Sequence, residues 1–166
     1  NKLGVTPLIL AATKNKGESV ARLIDAKADL NLKSSAGATA LDAALSQCSA
    51  TIARILIPAG GSASVYESGD TPVMRAAAKC GSDVLRTLLS RGTAINAQNA
   101  RGETALWQAA DHGNADAVEL LLKSGANAGI ADRSVDVPVM RALARGAADA
   151  AALLLPGSGD INLGNS

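Results

Sequence analysis

The chain has 166 residues, 48% of them hydrophobic, with 16 Lys plus Arg against 15 Asp plus Glu and a formal charge of +1. Its pI near 8.0 and the lack of a basic run give no support to nucleic-acid binding, which goes with a basic stripe and a pI above roughly 9. No apolar stretch approaches the ~20 residues needed to cross a bilayer, so no membrane insertion is expected. Phe is absent and Tyr66 and Trp107 are the only aromatics, so any core must be made of alanine and aliphatic side chains, which suits closely packed helix pairs.

In chain order, residues 1–32 predict helices near 7–14 and 18–26. Pro7 sits in the first turn, where its missing N–H costs nothing, and Thr13-Lys14-Asn15-Lys16 make a polar end suited to a unit with solvent on one flank. Within residues 33–63, Pro58 ends a second helix early and Gly60-Gly61-Ser62 give a loose exit. Residues 64–97 carry Gly69-Asp70-Thr71-Pro72 and Ser90-Arg91-Gly92 as start and stop. Residues 98–130 hold the most complete unit. Thr104 precedes a short apolar run ending in Ala109-Ala110, and Gly113 breaks the pattern. Val118, Leu121 and Leu122 then recur at helical spacing before Gly125. Residues 131–166 keep Pro138, Ala142 and Leu153-Leu154-Leu155, but place Val135 and Val137 where the other units have Gly and Thr; Pro156 and a weakly charged tail follow. Docking of that tail and a natural continuation both stay open. The start at Asn1 without Met fits either a removed signal peptide or a trimmed chain.

Each helix is too short to be stable alone, and the two of a unit together have more apolar surface than they can hide. The units recur at a fixed step. Thr6, Thr39, Thr71, Thr104 and Val137 are 33, 32, 33 and 33 residues apart, and each is followed five residues later by an alanine and seventeen residues later by an aliphatic pair. This period, with Thr6-Pro7-Leu8, Ala11-Ala12, Thr71-Pro72, Ala76-Ala77 and Gly125-Ala126 in the same order, resembles the ankyrin repeat. The resemblance covers nearly the whole chain and implies one all-α solenoid domain over 1–166. It would have five helix–turn–helix repeats (1–32, 33–63, 64–97, 98–130, 131–166) with projecting turn tips. Asp42 and Ala43 depart from the family's usual apolar or histidine residues.

Cys48 and Cys80 both lie nine residues after a threonine of the repeat. Equivalent atoms of adjacent packed helices are roughly 8–10 Å apart, beyond the 4.4–6.8 Å or so that a disulfide spans, so two free thiols are expected. Catalytic roles are unfilled: one histidine, no nucleophile elbow and no phosphate-binding glycine loop. Gly4, Gly37, Gly69 and Gly102 are periodic turn glycines. The expectation is a non-enzymatic chain with no catalytic residue, cofactor or metal.

A binding surface is what remains. In ankyrin stacks the tips and inner helices line a concave groove that recognises partner proteins. The tip position before each threonine slot reads Val5, Ala38, Asp70, Glu103, Asp136; the inner-helix position eight after it reads Lys14, Gln47, Lys79, His112, Arg145. The position three after it reads Ile9, Asp42, Met74, Trp107, Met140. Trp is enriched in hot spots and Met suits adaptable contacts; the same side chains could instead seal the seam between repeats. The expected partner-binding site is therefore centred on Trp107 and framed by Met74, Met140, Asp70, Glu103, Asp136, Lys79, His112, Arg101 and Arg145. The expected partner is another protein, bound by a chain that is monomeric by itself. Small stand-alone arrays similar to this one occur in bacteria. The expected role is inhibition of, or immunity-like protection against, an enzyme such as a cell-wall hydrolase in the periplasm. A cytoplasmic scaffold or a secreted effector is the alternative.

Overall fold

The computed structural model describes residues 3–65 and 68–155. Those residues form ten α-helices and no strand: α1 Pro7–Thr13, α2 Gly17–Asp25, α3 Ala40–Ser46, α4 Ala50–Leu56, α5 Pro72–Lys79, α6 Ser82–Leu89, α7 Ala105–Asp111, α8 Ala115–Lys123, α9 Pro138–Ala144 and α10 Ala148–Leu154. The odd helices stack on one another as an inner layer and the even helices as an outer one. This is the expected solenoid. Tyr66, Pro156 and the tail lie outside the described residues.

The threonine period is a capping period. Thr6, Thr39, Thr71 and Thr104 stand in extended backbone before the inner helices and accept from the amides of Ile9, Asp42, Met74 and Trp107 at 3.1, 3.2, 3.3 and 3.1 Å. Each bond satisfies an amide that the helix leaves free. Val137 has no hydroxyl, and α9 starts without a side-chain cap. Proline opens α1, α5 and α9.

Alanines set the closeness of the layers. Ala12, Ala44, Ala76, Ala77, Ala109, Ala110 and Ala142 have no accessible surface, and one continuous core runs the length of the stack with Leu8, Ile52, Leu56, Leu85, Leu106, Leu121 and Leu154 between the layers. Asp42, the departure in the second repeat, is 3% exposed. Its carboxylate accepts from the Thr39 amide at 2.8 Å and from the Ser64 amide at 3.0 Å, so it closes a capping box and ties the second repeat to the third.

The tip glycines are required by their neighbours as well as by their φ. At Gly69 (φ +78°) a Cβ would lie 2.9 Å from the Ala100 amide nitrogen, and at Gly102 (φ +80°) 3.0 Å from that of Arg133. Successive tips touch there through one backbone bond each, Ala100 N–H to Ser68 O and Arg133 N–H to Arg101 O. In the fifth repeat the same place is held by Val135 at φ +67°, with 72% of its surface exposed. A β-branched residue is strained there and buries little in return. Val135→Gly is expected to stabilise the chain by about 1 kcal/mol, read as a higher midpoint in calorimetry.

The cysteines correct the expectation of free thiols. Cys48 and Cys80 form a disulfide with a Cα–Cα distance of 5.1 Å. The two positions match in sequence and differ in backbone. At this offset Asn15, Cys48, Gly113 and Gly146 all have φ between +50° and +69°. In the third repeat α5 runs on to Lys79, and Cys80 turns extended at φ −101°, ψ 161°. That local change swings Cys80 toward the preceding repeat, so uniform helix spacing does not apply.

Candidate functional site

Lys79, His112 and Arg145 lie exposed at or beside the C-terminal ends of α5, α7 and α9, as the offset pattern implies. His112 Nδ1 donates to the Gln108 carbonyl at 2.9 Å, which fixes the ring against its own helix. Between α5 and α7 a cleft of about 140 Å³ is lined by Asp70, Met74, Arg75, Lys79, Gln108 and His112. Among the described residues no cluster of three or more His, Cys, Asp or Glu is arranged to hold a metal.

The acidic tips are not a free row. Glu103 is 5% exposed and is the centre of a closed network. It accepts from Arg101 Nε and Nη2 at 2.7 Å each, from Asn99 Nδ2 at 2.8 Å and from Gln108 Nε2 at 2.6 Å. Asn99 Nδ2 also reaches Asp70 Oδ1 at 2.6 Å, and Ser68 Oγ donates to Asp70 Oδ2 at 2.7 Å. Burial pushes both carboxyls up, but the hydrogen bonds and the Arg101 charge outweigh it and hold Glu103 and Asp70 below the usual carboxylate range.

Trp107 is 7% exposed and stands in the seam between the fourth and fifth repeats. Its Nε1 donates to the Asp136 carbonyl at 3.2 Å, and the Arg141 guanidinium lies 5.0 Å from the ring centroid. Arg141 and Arg145 both clasp Asp111 on α7, with nitrogen–oxygen distances of 2.6 and 2.8 Å, and Arg141 also approaches Asp136 at 3.4 Å. Burial raises the Asp111 carboxyl, and the hydrogen bonds and charges of the two arginines bring it below its ordinary value. Met74 is 1% exposed and belongs to the core. Met140 is 48% exposed because no described repeat packs on α9 from that side.

The three-after position thus faces the next repeat, and Met74, Trp107 and Met140 do not meet on the groove. Asp111, Arg141, Asn99 and Gln108, which build the networks, escaped the sequence reading. The signal for the first two was a charge pair one repeat apart, Asp111 with Arg141 and Arg145.

A model of ankyrin repeats in three copies matches residues 1–66, 43–133 and 73–165, and so spans the chain. The chain belongs to the ankyrin-repeat family. Ankyrin repeats are protein-interaction modules. Among solved structures this ankyrin chain is similar to one in the complex of the Bd0816 predatory endopeptidase from Bdellovibrio bacteriovorus with the immunity protein Bd3460. The identity is 30%, the TM-score is 0.82, and the match covers 94% of this chain and 82% of that one. No curated protein matches by sequence. Within the described residues of this ankyrin stack no helix is long and apolar enough to cross a membrane.

Proposed function

We propose that this ankyrin stack is a non-catalytic inhibitor that binds and blocks a partner enzyme, of the cell-wall hydrolase class, in the manner of an immunity protein. The observation that carries the reading is the similarity over 94% of the chain, at 30% identity, to a chain from a complex of an immunity protein with an endopeptidase. The disulfide supports an exported, oxidising location, because such bonds persist there and are rare in a reducing cytosol.

The contact face in this reading is the exposed row Lys79, His112 and Arg145 with the cleft between α5 and α7. Trp107, Glu103, Arg101, Asp70 and Asp136 serve it by holding the tips and the last repeat in place. Lys79 brings positive charge to this row, and such charge mainly speeds encounter and selects the partner. Adding the protein to cell-wall endopeptidases of its own source is expected to stop hydrolysis at one-to-one stoichiometry. The Lys79→Glu, His112→Glu double variant is expected to fold normally and to associate about tenfold more slowly at low salt. Undiminished hydrolysis by every such enzyme would remove the inhibitor reading.

A further inference from the structure

The joint between the second and third repeats is built unlike the others. Its repeat step is 32 residues where the others are 33. On the side of the helix starts it leaves an open pocket of about 380 Å³ lined by Leu41, Ile57, Ala63, Val73 and Leu88 and bordered by Arg91, whose guanidinium donates to the Ile57 carbonyl. Ala63 stands at the offset held by Leu30 and Ile95 in the first and third repeats and by the buried Ala128 in the fourth, so the small side chain accounts for part of the space without being peculiar to this joint. Thr93, which borders the pocket, has a buried hydroxyl without a hydrogen-bond partner. With α3 and α5 also approaching less closely than the other neighbouring inner helices, apolar contact at this joint is incomplete.

The far side of the same joint holds the disulfide. At the first joint the corresponding place is closed by Ser49 Oγ donating to Asn15 Oδ1 at 2.6 Å. At the third it is closed by Asn114 Nδ2 donating to the carbonyls of Ala77 and Cys80 at 3.1 and 3.2 Å. Here a covalent bond takes the place of the hydrogen bond, at the joint whose inner helices, α3 and α5, touch each other least among neighbouring inner helices. Cys48 is half-buried and Cys80 buried, so Cys48 is the cysteine nearer to solvent.

We propose that Cys48–Cys80 is a redox-operated clamp on this joint: oxidised, it makes the first two repeats and the last three one rigid groove, and reduced, it lets the two parts swing. A dithiol reductant opens it. One of its thiolates attacks the Cys48 sulfur and releases Cys80 as a thiolate, and its second thiol then displaces Cys48. Two electrons and two protons pass to the protein cysteines, and the reagent leaves as its own disulfide. The stack is loose in a reducing cytosol and locked after export. This property belongs to the joint and does not depend on which partner the groove binds.

Alkylation followed by intact-mass measurement tests the bond, and hydrogen exchange tests the clamp. The native chain is expected to take up no label before a dithiol and two labels after it. Reduction is expected to raise amide exchange in α4 and α6 roughly tenfold or more and to leave α7 and α8 unchanged. The Cys48→Ser, Cys80→Ser double variant should match the reduced chain and ignore the dithiol; should it fail to fold, reduction and reoxidation of the native chain gives the same comparison. Label uptake before reduction overturns the proposal. So does unchanged exchange at α4 and α6, or a uniform rise along the whole stack, which would mean a general loss of stability with no local joint.

Discussion

Trp107→Ala is expected to cost the fold about 3–5 kcal/mol, the range for emptying a large aromatic site in a core. Three interactions fall together. The ring leaves a void between the fourth and fifth repeats, the Asp136 carbonyl loses its donor, and Arg141 loses the surface over which it lies. Denaturant melts followed by circular dichroism measure the loss. A ring presented to a partner would give a different result, a folded protein with weakened binding and a nearly unchanged melt. With 7% of its surface exposed, the residue is expected to act through stability, and a melt within about 1 kcal/mol of the parent would contradict the seam assignment.

Glu103→Lys carries the second large effect. An exposed tip carboxylate could be reversed at little cost, but this one is 5% exposed and receives Arg101, Asn99 and Gln108. Reversal buries a cation against a cation and leaves three donors without their acceptor. The expected loss is about 3–5 kcal/mol, as for breaking a buried pair.

The parent should also show a matching acid sensitivity. Glu103, Asp70 and Asp111 are all held below their ordinary values in the fold. As pH falls through the ordinary carboxylate range the unfolded chain takes up protons first. The stabilisation is therefore complete above that range and is lost as pH drops toward the lowered values. Melts from pH 7 to pH 3 should fall steeply below about pH 4.5 in the parent, and less so in Glu103→Gln, which removes one of the three groups.

The stack was legible because its causes are local and repeat. A threonine that caps, a glycine that turns, alanines that let helices approach and a leucine pair between the layers each act within one unit, and the period displays them side by side. The site was less legible because its geometry lies between units. Position three after the threonine looks like a groove position on a single helix, yet Met74 and Trp107 point into the next repeat, and only Met140 is left open. Tip charges counted in a column look like a row. In space Glu103 is enclosed by side chains of its own repeat, and Asp111 is answered by arginines thirty and thirty-four residues further on. The cysteine pair follows the same rule. Equal offset implies equal place only while the backbone repeats, and at Cys80 it does not.

The chain has one tryptophan, and the fold puts it at a single place, wedged where the last helix pair leans on the one before. Its emission is therefore a gauge of that attachment alone. Light from this protein under heat or denaturant reports when the fifth repeat lets go, and it is blind to the clamped joint two repeats away. A fluorescence midpoint and a backbone midpoint are separate quantities here, and the gap between them measures how far the stack comes apart one unit at a time.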